Sequence, residues 1–361
     1  MTSENVPNRP PASADEITTG WLTAALQERH PGALVTGVEV VSRSQVTNSH
    51  ARISVTYDSP STAPSSMFVK VLPTDDRRDA VARTRMGPKE VRFYRELARR
   101  LKLRVPEVHV AIEDSSDDTF VLLLEDLVDA GALVSDGTWG VGADGAATAL
   151  EGLAEMHARF EDPKRRAAEA GWVVEPVWGS TYGSTMLQFG LDHHRDRLSD
   201  NFAAIAESYI NDGRRLFELW TTGPKTVIHG DTHIGNLFFE GDTVGFLDWG
   251  LIAVNTPMRE VSYFLNMAMD IEERRTHEQA LLRHYLAARS SCGASPMTFN
   301  DAWAAHRLQA AYCVVASCQI VTFPANISVG RTVFSDAFLN RAEAAISDLD
   351  ALGALREATG R

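Results

Sequence analysis

The chain reads as an α+β protein in two lobes, a β-rich N-terminal lobe followed by a mainly helical one, and three observations lead there. Between Val38 and Leu124 short runs alternate apolar and polar residues, as strands of an antiparallel sheet do. After Glu125-Asp-Leu127 the period changes to that of helices. The length of 361 residues also exceeds what one compact core usually holds.

In order, residues 1–14 carry Pro7, Pro10 and Pro11 among polar residues and are expected to form a disordered tail. The N-lobe is expected over 15–125. Thr18 or Thr19 caps a helix through Trp21, Leu22, Ala25 and Leu26, which stops before Pro31-Gly32. Strands follow at Val38–Val46, Ala51–Tyr57 and Met67–Leu72, with the Ser/Pro-rich stretch 59–66 as a loop. Asp79–Leu103 has helical periodicity, and Val108–Ile112 and Thr119–Leu124 complete five strands. The C-lobe, 126–361, is expected to hold helices at Ala143–Phe160, Leu191–Leu219, Glu260–Met269, Glu272–Ser291, Asn300–Val321 and Thr332–Leu352.

Composition excludes more than it selects. No run of about 18 apolar residues exists to span a bilayer, so no membrane partner is expected. No basic segment leads into an apolar stretch at the N-terminus, and the three cysteines form no Cys-x-x-Cys pair or disulfide framework. Both features fit a cytoplasmic protein. A net charge of −13 argues against a nucleic-acid partner and is mildly compatible with a cationic substrate.

The densest chemistry lies in Val227-Ile-His-Gly-Asp-Thr-His-Ile-Gly-Asn-Leu-Phe-Phe239 and Gly245-Phe-Leu-Asp-Trp-Gly250. Asp231 and Asn236 stand in the register Asp-x-x-x-x-Asn, His229 precedes Asp231 by two residues, and Asp248 opens an Asp-x-Gly turn. This is the spacing of the kinase catalytic loop, where an Asp orients an acceptor hydroxyl while an amide oxygen and a second carboxylate hold Mg²⁺. With Gly230 in place of the usual Arg, the sequence resembles the aminoglycoside phosphotransferase and choline kinase superfamily, the small-molecule branch of the protein-kinase-like fold. The resemblance runs roughly from Val38 to the C-terminal helices.

The resemblance implies ATP-dependent, or GTP-dependent, transfer of the γ-phosphate to a hydroxyl of a small molecule. It makes Asp231 the catalytic residue and Asn236 and Asp248 the Mg²⁺ ligands. Lys70, in Phe-Val-Lys-Val, resembles the phosphate-binding lysine strand, and Glu90, on the next helix, is its implied partner, with Glu96 as the fallback. Backbone groups of Glu125 and Leu127 are the implied adenine contacts. His157 is expected as a buried histidine beside the catalytic loop, and Glu260 as the residue that ties this loop to its helix, although a helix N-terminal acid explains it almost as well.

The first hairpin, Ser44–Ser49, departs from the pattern because it has no glycine, leaving Thr47 and Ser49 to reach phosphate oxygens. His229 and His233 form His-x-x-x-His, but Gly230 and Gly235 oppose the helix that a zinc pair at that spacing needs. A catalytically silent nucleotide-binding scaffold is the alternative reading. It is opposed by the joint presence of Lys70, Asp231, Asn236 and Asp248. The acceptor is a hydroxylated small molecule of open identity, as is the oligomeric state. Trp178, Tyr182, Trp220, Trp249 and Trp303 could form a cation cage, packing being the plainer reading.

Overall fold

A computed structural model describes residues 9–45, 47–322 and 329–360. The chain divides into two compact units, one of Met1–Arg100, Arg104–Val134 and Phe246–Ile252, the other of Leu101–Leu103, Ser135–Gly245 and Ala253–Arg361.

The first unit is built on a five-stranded antiparallel sheet. β1 (Val35–Gln45), β2 (Ser49–Tyr57), β3 (Ser66–Val71), β4 (Val108–Asp114) and β5 (Thr119–Glu125) lie in the order β1-β2-β3-β5-β4. Side chains alternate across a strand. Met67, Val69 and Val71 of β3 therefore join one core with Ile53, Val121, Leu123 and Leu22 of helix α1 (Thr19–Leu26), while Phe68 and Lys70 share the opposite face. Thr18 caps α1, its hydroxyl accepting from the Trp21 N–H at 3.2 Å. Arg9–Ala14, expected within a disordered tail, are held: Trp21 Nε1 donates to the Arg9 carbonyl at 3.2 Å and Ala14 enters the core. Residues 1–8, and Val46 at the end of the expected first strand, lie outside the described residues.

The single helix expected over Asp79–Leu103 is two. α2 (Arg78–Thr84) stops at Arg85, which adopts φ 59°, and α3 runs from Met86 to Glu96. Pro88 gives the reason: its ring would clash with the Thr84 carbonyl in a continuous helix, but it is tolerated in a first turn. A short strand, β6 (Leu133–Val134), ends this part of the chain.

The second unit is mainly helical: α4 (Ala143–Glu161), α5 (Pro163–Ala170), α6 (Tyr182–His193) and α7 (Asp200–Thr221) precede its strands. The helix expected over Leu191–Leu219 is broken because Ser199 caps a new start, its hydroxyl accepting from Phe202 N–H. β7 (Thr226–Ile228) then leads into the Asp231 loop, and β8 (Leu237–Glu240) and β9 (Thr243–Phe246) make a hairpin. β10 (Ala253–Asn255) pairs antiparallel with β7. α8 (Pro257–Ala268), α9 (Ile271–Ser291), α10 (Phe299–Ala310), α11 (Tyr312–Ala316), α12 (Val329–Asp348) and α13 (Ala351–Thr359) follow. Phe202, Ile205, Trp220, Met267, Phe338 and Ile346 anchor the core. Asn300–Val321 and Thr332–Leu352 each divide, the latter at Asp350 with φ 46°. Among the described residues no helix is long and apolar enough to cross a membrane.

Candidate functional site

In the first unit, β3 and α3 bring two of the expected residues together, and the Asp-Trp-Gly turn supplies a third. Lys70 Nζ lies 2.6 Å from Glu90 Oε2 and 3.0 Å from Asp248 Oδ1. Lys70 and Glu90 are buried, whereas the Asp248 side chain keeps 34% of its exposure. Burial alone pulls an ammonium toward deprotonation, but the carboxylates of Asp248 and Glu90 outweigh that and hold Lys70 above the usual lysine value. The lysine is a fixed cation at neutral pH. Glu96 instead pairs with Arg92 on the exposed side of α3.

Asp248 itself carries the unusual backbone, at φ 57° and ψ 68°. Gly250, the glycine of the Asp-x-Gly turn, is not at positive φ. Its need for glycine is packing, since a Cβ there would sit 2.9 Å from the Met86 Cβ and 3.2 Å from the Met86 carbonyl. Trp249 holds the turn by stacking flat on Phe93 of α3, and the Trp249 backbone N–H donates to Glu90.

At the β1–β2 tip Thr47 is exposed and Ser49 half-buried. Between them Asn48 is 2% exposed, with an Oδ1 that meets no donor among the described residues. Sequence reasoning passed over it in favour of the hydroxyls. The β5 exit is largely committed within its unit. Glu125 N–H donates to the Glu107 carbonyl at 2.7 Å, its carboxylate takes Arg104 and the Glu107 N–H, and the Leu127 carbonyl accepts from Ala132 N–H.

The second unit fixes Asp231 from several directions. Gly230 has φ 91°, which explains glycine in the position of the kinase arginine. Its N–H donates to Glu260 Oε1 at 2.8 Å, and the other oxygen of Glu260 meets His157 Nε2 at 2.9 Å, both side chains fully buried. His157 Nδ1 meets the Tyr285 hydroxyl at 2.9 Å. Glu260 on α8 is thus more than an N-terminal acid, because it joins the loop backbone to α4.

Asp231 N–H donates to His229 Nδ1 at 3.2 Å, and Gly235 N–H to His233 Nδ1 at 3.0 Å. A neutral imidazole that accepts at Nδ1 carries its proton on Nε2, so in this arrangement both histidines brace the loop backbone rather than offer a zinc pair. Asn236 Nδ2 donates to Asp231 Oδ2 at 3.0 Å and to its carbonyl at 2.9 Å. Its Oδ1 therefore points to other work and accepts no hydrogen bond among the described residues. Burial disfavours the Asp231 carboxylate, but His233, then His229 and Asn236, more than compensate and hold it below the usual aspartate value.

Sequence reasoning missed Tyr263, whose hydroxyl donates to Asp231 Oδ1 at 3.3 Å. The signal was available, since Tyr263 follows Glu260 by three residues and shares its face of α8. Of the aromatic residues proposed for a cage, Trp178 and Trp220 meet only through Tyr209, as packing of the core. Trp220 is core, its Nε1 donating to the Leu308 carbonyl, Trp303 stacks on Phe299, and Trp249 belongs to the first unit.

Residues 55–294 match the model of the phosphotransferase enzyme family. Among curated proteins none matches the sequence. A solved structure from Ralstonia eutropha, assigned as an aminoglycoside phosphotransferase, superposes with a TM-score of 0.51 at 14% identity, covering 91% of this chain and 97% of that one. A choline kinase from Streptococcus pneumoniae gives 0.47 at 15% identity, over 88% and 94%. A macrolide 2'-phosphotransferase from Brachybacterium faecium gives 0.46 at 16% identity, over 87% and 96%. The mixed architecture, an antiparallel sheet with helix α3 followed by a helical remainder, is that of the protein-kinase-like phosphotransferases.

Proposed function

The chain belongs to the phosphotransferase enzyme family, and on that premise we propose that it transfers the γ-phosphate of ATP, or of GTP, to a hydroxyl of a small molecule. The observation that carries this reading is the buried Lys70 held between Glu90 and Asp248. A lysine kept charged while buried needs a functional reason, because desolvating an ammonium costs several kcal/mol before its attraction to Glu90 and Asp248 is counted. Phosphate oxygens are the anions that such a lysine neutralises in this reaction. The same contact supports an enzyme over a silent scaffold, which would have no use for the full set.

In this reading Lys70, positioned by Glu90, binds the nucleotide phosphates, with Asn48 or the Thr47 and Ser49 hydroxyls closing the hairpin over them. Backbone at Glu125–Leu127 takes the base through groups other than the engaged Glu125 N–H and Leu127 carbonyl. The Asp248 carboxylate and the Asn236 Oδ1 are hard oxygen donors of the kind Mg²⁺ takes, and they would hold it. Bound there, the ion neutralises charge developing on the transferred group. Asp231 orients the acceptor hydroxyl, whose oxygen bonds to the γ-phosphorus while the bond to the bridging oxygen breaks and the nucleoside diphosphate leaves. The hydroxyl proton passes to Asp231. Because this transition state is loose, positioning by Asn236 and Tyr263 contributes more than basicity.

The test is nucleotide consumption by the purified protein across hydroxylated compounds, with Asp231→Asn as the blank. Transfer that depends on Asp231 is the expected result. Equal consumption by the variant on a confirmed acceptor would show that the assignment is wrong.

A further inference from the structure

We propose that the acceptor carries an anionic group and that Arg259 binds it; this deepens the phosphotransfer reading and rests on it. Arg259 is the third residue of α8, beside the Glu260 that anchors the catalytic loop. It is 7% exposed, and its Cζ lies 3.0 Å from the centre of the Tyr312 ring and 5.2 Å from that of Tyr263. Tyr263 is the residue whose hydroxyl reaches Asp231. The cation is therefore placed one aromatic ring away from the carboxylate that orients the acceptor.

The nearest acids do not neutralise it. Both oxygens of Glu260 are engaged, by Gly230 N–H and by His157. Asp231 is engaged by Tyr263, Asn236 and His233. Among the described residues the guanidinium forms no ion pair and has only the Tyr312 side chain as a hydrogen-bond partner, in contrast with the buried Arg274, which holds Glu278 and Asp348. Stacking on two tyrosines does not balance the desolvation of an unpaired guanidinium. A planar, bidentate donor with no carboxylate of its own suits a carboxylate or a phosphate.

The same geometry argues against a cationic acceptor. The aromatic faces that would receive an ammonium beside Asp231 are those of Tyr263 and Tyr312, and the protein's own cation already covers them. The net charge of −13 points the other way. Surface charge, however, is screened beyond about 8 Å at physiological salt, whereas Arg259 acts at contact.

The experiment uses three polyols that differ at one end: D-gluconate, sorbitol and N-methylglucamine. Calorimetry with the full chain, Mg-ADP present to occupy the nucleotide groups, should show that gluconate binds best and that Arg259→Met weakens it roughly 10- to 100-fold. Arg259→Lys should keep part of the affinity, and unchanged Mg-ADP binding reports that each variant is folded. Gluconate affinity that is absent or indifferent to Arg259, or tighter binding of N-methylglucamine, overturns the proposal. Nucleotide consumption on the same compounds separates the two readings. Asp231-dependent turnover of a neutral or cationic acceptor that Arg259→Met leaves alone sinks the anion site and keeps phosphotransfer. Gluconate binding that depends on Arg259, without any Asp231-dependent turnover, does the reverse.

Discussion

Trp249 lies flat on Phe93, the ring centroids 3.9 Å apart and the planes 6° from parallel. Both rings are fully buried. Asp248 is covalently next to one ring and Glu90 one helical turn from the other, so the stack sets the distance between the two carboxylates that share Lys70. Loss of the ring should act on binding and on stability together. Trp249→Ala is expected to cost about 3–5 kcal/mol in denaturant unfolding and to weaken Mg-nucleotide binding, while Trp249→Phe keeps most of both. Nucleotide affinity unchanged in Trp249→Ala would mean that the stack does not position Asp248.

Glu90→Gln leaves Lys70 with Asp248 as its one carboxylate. The expected result is a rise in nucleotide KM of roughly 10- to 100-fold, the span of a hydrogen bond to a charged group. Glu96→Gln, which touches only the exposed Arg92 pair, should stay near wild type. Equal effects of the two variants would contradict the Lys70–Glu90 assignment.

His50 sits opposite Lys70 in the β2–β3 register, and its sealed Nε2 meets no hydrogen-bond partner among the described residues. Burial, aided by the Lys70 cation, depresses it to about 4. Between that value and the unfolded value of about 6.5 the unfolded chain binds the extra proton, so stability rises with pH across this window and is lost below it. His50→Gln should remove up to about 3 kcal/mol of that pH dependence. Urea unfolding from pH 4 to 7 reads it, and an unaltered slope would contradict the depressed value.

The catalytic loop and the strands around it were legible because their information is local. A register such as Asp231-x-x-x-x-Asn236 survives translation into coordinates, and Lys70 on an apolar strand announces its own environment. What failed to show was set by packing across the chain. Arg85 breaks a periodic helix because of Pro88, and Gly250 is glycine because of Met86, a residue distant in sequence. Arg259 was unreadable as a site residue, since its meaning comes from what α8 faces rather than from spacing, whereas Tyr263, three residues after Glu260 on the same face, could have been found. Asn48 stood in the right hairpin, but only its burial distinguishes it from the two hydroxyls beside it.

Glu260→Ala would strand the Gly230 N–H and the buried His157 at once. A loss of about 3 kcal/mol or more is expected, from roughly 1–3 for each orphaned group. Glu260→Gln keeps the acceptor for Gly230 and should recover part of it. Thermal unfolding measures both, and a neutral Glu260→Ala would show that the loop is held otherwise.

The most direct measurement is Asp231→Asn, assayed for transfer and for nucleotide binding on the same preparation. The substitution keeps the shape and one accepting oxygen, which Asn236 can still reach, and turns the other into a donor that the Tyr263 hydroxyl can accept from. It removes the charge that orients the hydroxyl and the base that takes its proton. Transfer to any confirmed acceptor should fall by about 100-fold or more, with Mg-nucleotide affinity unchanged. Near-normal transfer by Asp231→Asn would contradict the account at its centre.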